Sequence, residues 1–214
     1  RYFDAIDDYT EARHLDADSP VHANRGTALF KVGRYADAIE DFTEAIRKAP
    51  TAVGYYNRGY AHLCNRQFAE AAADFTKVLE LDPQSAAHND RGSAYLALDE
   101  YDKAIADFES ELSRSPNAIT HFNLGYAHQM RGAFESAISH YSETLKVIPK
   151  HVVALNNRGL ARLWRGEDEA GIADLEAALE IDPKNVTALN NRAVAHRAKG
   201  AIDDALSDFS KALK

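Results

Sequence analysis

Small and bulky apolar residues recur four apart along this chain, the spacing at which side chains stack on one face of a helix. Ala38 and Phe42, Ala71 and Phe75, Ala104 and Phe108, Ala137 and Tyr141, Gly171 and Leu175, and Ala205 and Phe209 form such pairs. Twelve residues before the first member of each pair stands another small residue: Gly26, Gly59, Gly92, Gly125, Gly159 and Ala193. Each lies in a short motif, from Asn24-Arg25-Gly26-Thr27-Ala28 to Asn191-Arg192-Ala193-Val194-Ala195, and successive motifs are 33, 33, 33, 34 and 34 residues apart. A fixed period of this length marks a stack of repeated supersecondary units. Two helices are predicted per unit. The first carries the Gly and the second the small–aromatic pair, so the backbones approach closely where both residues are small and the aromatic ring fills the remaining space.

Punctuation supports that division. Pro50, Pro83, Pro116, Pro149 and Pro183 each fall just after the second helix, which a Pro cannot continue. Gly33, Gly132, Gly166 and Gly200 lie seven residues after the motif Gly or Ala, where a residue in the left-handed conformation closes the first helix. Arg66 and Asp99 occupy the same place in two repeats. A left-handed Arg66 is costly, so that turn is expected to be adjusted through Asn65.

With small residues in both helices, an aromatic four residues after the second and a Pro at the repeat end, the chain resembles the tetratricopeptide repeat (TPR) family over its whole length. The resemblance implies an all-α fold, a right-handed superhelical solenoid of antiparallel helix pairs with about thirteen helices. The expected units are a leading second helix (1–18), five full repeats (19–51, 52–84, 85–117, 118–151 and 152–185) and a partial final repeat (186–214), forming one array. Two departures from the family pattern stand out. The bulky aromatic four before the Gly is replaced by His22, Tyr55, His88, His121, Leu155 or Leu189, and the Leu before the Gly is mostly Arg. The chain starts mid-repeat without an initiating Met and ends without a polar capping helix, which reads as a segment of a larger protein.

Composition fits a folded chain, with 45% hydrophobic and 27% charged residues among 214. The net charge of −8 opposes nucleic-acid binding, which depends on cations tracking phosphates, and favours a partner with a basic segment. No apolar run approaches the roughly 18–20 residues needed to cross a bilayer, and no signal-peptide pattern precedes the first helix. Cys64 is the single cysteine, which excludes an intrachain disulfide and favours a reducing, cytoplasmic setting.

Nine His residues invite a catalytic or metal reading until the repeat places them. His22, His88 and His121 share one repeat position, and His62, His128 and His196 share another. Equivalent positions lie on the order of 10 Å apart, too far to share a metal at a Zn–N distance near 2 Å. Packing is therefore the expected role. No His-Glu-x-x-His, paired-Cys or phosphate-cradling Gly-rich motif is present, so no enzyme activity, cofactor or metal is expected. Arg25, Arg58, Arg91, Arg158 and Arg192 each have an Asp sixteen residues on, and where Leu124 replaces the Arg, His140 replaces the Asp. This covariation predicts an Arg–Asp pair inside each repeat.

Binding has a surface to use. The TPR resemblance implies that first helices line a concave face. On that face Asn57, Tyr60 and Cys64 lie at i, i+3, i+7, as do Asn123, Tyr126, Met130 and Asn157, Leu160, Trp164. An Asn recurs at Asn24, Asn57, Asn123, Asn157 and Asn191, and an amide that donates and accepts can hold an extended backbone. The candidate peptide-binding residues are these five with Asn156 and the anchors Tyr56, Tyr60, Phe122, Tyr126, Met130 and Trp164. The competing role is that the amides bond neighbouring helices and the aromatics complete interhelix packing. A carboxylate clamp of the co-chaperone type is disfavoured, since its Lys positions read Ala23, Asn89, Phe122, Asn156 and Ala86, Ile119 or Val153. The expected function is a protein-interaction scaffold within a larger protein. The alternatives are self-association through uncapped repeat ends, or a targeting arm for a catalytic domain elsewhere.

Overall fold

In a computed structural model the described residues are 2–15 and 21–213, and among them the chain is all-α, with thirteen helices and no strand. They are α1 (Tyr2–Leu15), α2 (His22–Lys31), α3 (Tyr35–Lys48), α4 (Ala52–Cys64), α5 (Phe68–Leu81), α6 (Ala87–Ala97) and α7 (Tyr101–Arg114). There follow α8 (Ala118–Met130), α9 (Phe134–Val147), α10 (Val152–Trp164), α11 (Asp168–Ile181), α12 (Val186–Ala198) and α13 (Ile202–Ala212). The expected helix number and pairing are thus found. The repeat start placed at Ser19 and the terminal residues Arg1 and Lys214 lie outside the described residues.

The chain forms two compact units, Arg1–Asp107 and Phe108–Lys214, with the boundary inside α7. In the first, α2 packs on α3, α4 on α5, and α3 and α5 on the first helix of the following repeat. Its core holds Ala38, Phe42, Ala71, Phe75 and Ala94, all buried. In the second, α8 packs on α9, α10 on α11 and α12 on α13, around Ala137, Tyr141, Ala161, Leu175 and Leu189. The motif glycines do what the spacing predicted. A Cβ on Gly59 would sit 3.2 Å from the Phe75 ring, and one on Gly159 would sit 2.9 Å from the Gly171 carbonyl oxygen.

Four of the first helices have a side-chain cap. Thr51, Asn117, His151 and Asn185 accept from the backbone N–H groups of Gly54, Thr120, Ala154 and Ala188, satisfying donors that the helix leaves free. Gln84 stands at the corresponding place before α6, where the helix begins later, at Ala87, without a side-chain cap.

The turn at Arg66 corrects the sequence expectation. Arg66 takes the left-handed conformation itself (φ 61°), as does Asp99 (φ 59°), alongside Gly33, Gly132, Gly166 and Gly200. All six turns carry the same bond from the next residue back across the turn. The Gln67 N–H donates to the His62 carbonyl at 2.8 Å, matching Ala133 to His128 at 2.8 Å and Glu167 to Arg162 at 2.9 Å. This bond, with the packing of the following helix, overrides the steric cost at a single residue. That strain remains in the folded state. Arg66→Gly is therefore expected to raise stability by about 0.5–1 kcal/mol, read as an increased urea midpoint. Asp99→Gly is expected to gain less, because it loses the bond from the Tyr101 hydroxyl to the Asp99 carboxylate, 2.6 Å.

Candidate functional site

Inside the helix pairs the five Arg residues meet their own repeat's Asp as two-pronged pairs. Arg25 Nε and Nη2 donate to Asp41 at 2.6 Å each, and Arg58 donates to Asp74 at 2.8 and 2.7 Å. Arg91–Asp107, Arg158–Asp174 and Arg192–Asp208 repeat the geometry at 2.7–2.8 Å. All five carboxylates are buried. The sequence did not suggest a third corner. Nη1 of Arg25, Arg58, Arg91 and Arg158 donates to Thr10, Thr43, Thr76 and Ser142 on the preceding second helix, at 3.1–3.2 Å. A hydroxyl fifteen or sixteen residues before each of these Arg residues was the available signal. These four triads thus tie their own repeats internally and to the preceding second helix. Beside three of the carboxylates lies an imidazole: His22 at 3.4 Å from Asp41, His88 at 3.1 Å from Asp107 and His62 at 3.9 Å from Asp74.

The candidate binding residues divide into two sets. One is engaged in the fold. Asn191 Nδ2 donates to Asn156 Oδ1 (3.0 Å), Asn156 Nδ2 to Asn157 Oδ1 (3.2 Å), Asn157 to the Tyr141 oxygen, and the Tyr141 hydroxyl to Gln129 Oε1 (2.8 Å). This relay crosses α12, α10, α9 and α8. Asn156 is buried at its centre, and burial pushes the Tyr141 phenol up. Phe122 packs on the Tyr141 and His151 rings, at 5.8 and 5.0 Å between centroids. In the first unit Tyr56 packs on Phe75, and its hydroxyl donates to Asp90 at 2.8 Å, while burial and that carboxylate push its phenol up.

The other set faces outward. Tyr60 and Tyr126 are each 40% exposed, Met130 46% and Trp164 68%. Asn24 is exposed, and Asn57 and Asn123 are half-buried. In the first unit Tyr60 stacks on Tyr56 (6.3 Å, 5° between planes) and meets Phe30 at 5.6 Å, forming a small cleft with Thr27, Lys31 and Asn57. In the second unit Trp164 stacks on Phe134 (5.9 Å, 11°) and walls an apolar groove of about 540 Å³ with Leu160, Leu163, Asn191, Val194 and Ala198. Phe30, Val194 and Ala198 were not among the sequence candidates. The i, i+3, i+7 template that singled out Asn157, Leu160 and Trp164 gives Asn191, Val194 and Ala198 when applied to α12.

Burial pushes the Cys64 thiol up, away from the reactive thiolate. Among the described residues no group of three or more His, Cys, Asp or Glu is placed to hold a metal ion, and no helix is long and apolar enough to cross a membrane.

Comparison with known proteins bears on the repeat. The family model for the tetratricopeptide repeat matches residues 1–53, 23–86, 56–119, 89–152, 122–185 and 156–214. The chain belongs to the tetratricopeptide repeat family. Among solved structures, the C-terminal part of a TPR repeat-containing protein from Cytophaga hutchinsonii matches with a TM-score of 0.78 at 15% identity, covering 97% of this chain and 89% of that one. A TPR protein from Parabacteroides merdae matches with a TM-score of 0.75 at 19% identity, covering 99% and 85%. YrrB, a TPR protein with an unusual peptide-binding site, matches with a TM-score of 0.68 at 24% identity, covering 82% and 92%. At these identities the likeness shows the TPR fold. No curated protein matches the sequence.

Proposed function

We propose that this TPR chain is a protein-interaction scaffold, without catalytic chemistry of its own, that binds an extended segment of a partner across α8, α10 and α12. The observation that carries this reading is Trp164. A Trp two-thirds exposed beside an apolar groove is the kind of side chain that dominates binding energy at interfaces. Stacking on Phe134 holds its ring in place before any partner arrives, which lowers the ordering cost of binding. Tyr126, Met130 and Val194 extend the apolar surface along the neighbouring helices. Asn157 and Asn191 keep unused donor or acceptor capacity beyond the relay, enough to meet a peptide backbone. The formal charge of −8 favours partners with basic flanks. The peptide-binding site of YrrB, on the same fold, is consistent with this use of a repeat surface.

Peptides selected against the whole chain from a displayed random library provide the probe. Trp164→Ala with Met130→Ala is expected to weaken them by about tenfold or more, with helicity and melting unchanged. Asn156→Ala is expected to do the opposite, lowering stability by about 1–2 kcal/mol because it breaks the amide relay. Equal peptide affinity for the Trp164/Met130 variant eliminates the groove.

A second reading has one observation behind it. Ile202 and Leu206 on α13 and Leu213 just past its end are exposed apolar residues, and Leu213 is 89% exposed while its repeat equivalents Ile46, Leu145 and Leu179 are buried. That face fits a further helix, from more repeats or another molecule. Light scattering over a range of concentrations separates the two, since growth in size that Leu206→Glu and Leu213→Glu abolish supports association.

A further inference from the structure

Five repeats place a guanidinium and a carboxylate between their two helices, and the repeat at 118–151 places three imidazoles there instead. Leu124 stands for the Arg and His140 for the Asp. His121 Nδ1 lies 3.1 Å from His140 Nδ1, and the His128 ring stacks on the His140 ring at 5.4 Å between centroids and 5° between planes. His128 Nδ1 is buried and has no hydrogen-bond partner. In three of the repeats where an Asp occupies the slot, a neighbouring imidazole has a carboxylate oxygen within 3.1–3.9 Å. Among the described residues these three rings have no such partner within 4 Å.

The surrounding charges do not replace it. On α9, Glu143 is engaged by Lys146 at 2.6 Å. On α7, Glu109 is exposed and acts on His128 at long range, opposed by Arg131 just past α8. On α10, Arg158 reaches Ser142 of α9, its charge matched by Asp174. A proton on His128 or His140 therefore adds positive charge to a half-buried slot that holds no compensating carboxylate.

We propose that the α8–α9 pair is an acid-sensitive latch, closed while His128 and His140 are neutral and opened when they take up protons. Burial, then the neighbouring His128 and His121, hold His140 down to about 4, and burial also lowers His128. The sign follows from linkage. Above the ordinary His value near 6.5 both open and closed forms are neutral, and nothing is lost. Between about 6.5 and 4 the open form binds protons that the closed form refuses, so closure weakens as pH falls through that window. At pH 5, His140 alone shifts the equilibrium towards opening by roughly 30-fold. Opening also loosens the helix that carries Asn123, Tyr126 and Met130. That consequence for binding rests on the groove reading above; the latch itself does not.

Hydrogen exchange of the whole chain at pH 7.5 and 5.0, with rates corrected for intrinsic chemistry, tests the latch without a ligand. Protection in α8 and α9 is expected to fall by roughly 10- to 30-fold at pH 5.0, while α4 and α5, which hold Arg58–Asp74, change by less than about threefold. Leu124→Arg with His140→Asp rebuilds the slot of the other repeats and is expected to remove the acid loss. His140→Gln, a milder change that keeps the surrounding packing, is expected to remove most of it. Unchanged protection of wild-type α8–α9 at pH 5.0, an equal loss in α4–α5, or wild-type acid loss in both variants overturns the proposal.

Discussion

Arg58→Ala is expected to destabilise the protein by about 3–5 kcal/mol, among the largest effects available to a single substitution in the first unit. The asymmetry of the pair sets the size. Asp74 is 4% exposed and receives both prongs of the guanidinium, at 2.7 and 2.8 Å, with the His62 imidazole further off at 3.9 Å. Removing Arg58 leaves a carboxylate that cannot recover its water shell without opening the helix pair, and also releases the Thr43 hydroxyl. An exposed pair such as Lys77–Glu80 is screened by solvent, so Lys77→Ala is expected to leave the denaturant midpoint nearly unchanged. Removing both members should cost less than removing one, because no charge is then left buried. Arg58→Leu with Asp74→His copies the Leu124 and His140 combination and is expected to recover more than half the loss at pH 7.5. Denaturant unfolding of the four proteins checks this, and a double variant no better than Arg58→Ala contradicts it. The pair in the last repeat adds a pH signature. Burial raises Asp208, but its hydrogen bond to Arg192, then the charges of Arg192, Lys211 and His196, outweigh this and leave it lowered. A lowered carboxylate contributes stability in full above the unfolded value near 3.9 and loses it as pH falls through the folded one.

The helix pairs were legible in the sequence because each structural role is written six times over. One Gly proves little, but Gly26, Gly59, Gly92, Gly125 and Gly159 at one period define a close approach, and it is the approach observed at Gly26, Gly59, Gly125 and Gly159. The Arg–Asp pairing was legible for a related reason. Leu124 and His140 differ together, which ties residues sixteen apart to one slot. What the sequence did not reveal is local and depends on directions that spacing cannot resolve. Asn156 and Asn157 are adjacent and chemically identical, yet a helical step of 100° buries Asn156 and leaves Asn157 half-exposed. The ladder of amides accordingly turned out, in the second unit, to be a bonded relay between helices as well as a surface. Arg66 shows the converse limit. Residue preference disfavoured a left-handed Arg, but the turn is closed by the bond from Gln67 to His62, and the same bond closes it in the repeats that have Gly.

Gly125→Ala gives the sharpest test of the packing in the second unit. On an exposed helix the change would stabilise by about 1 kcal/mol, since Ala is the better helix former. Here the added Cβ would lie 2.7 Å from Cδ1 and Cε1 of Tyr141. The ring has nowhere to go. Tyr141 is fully buried, touches Phe122, and is anchored at its hydroxyl by Gln129 and Asn157. Relief must come from spreading α8 from α9, which disturbs the aromatic contact, the amide relay and the imidazole cluster together. A net loss of about 3 kcal/mol is expected, at the upper end for overpacking by one methyl group. Ala193, at the same repeat position in α12, shows that Ala is tolerable where the facing ring has room, for its partner Phe209 is half-buried near the end of α13. Shrinking the ring should therefore rescue the variant. Gly125→Ala with Tyr141→Leu, which copies the bulk of Leu175 opposite Gly159, is expected to be less damaged than the sum of its single changes by at least about 1 kcal/mol. Thermal and urea unfolding of the four proteins measure that coupling. Strict additivity would mean that the two positions do not share the packing the structure gives them.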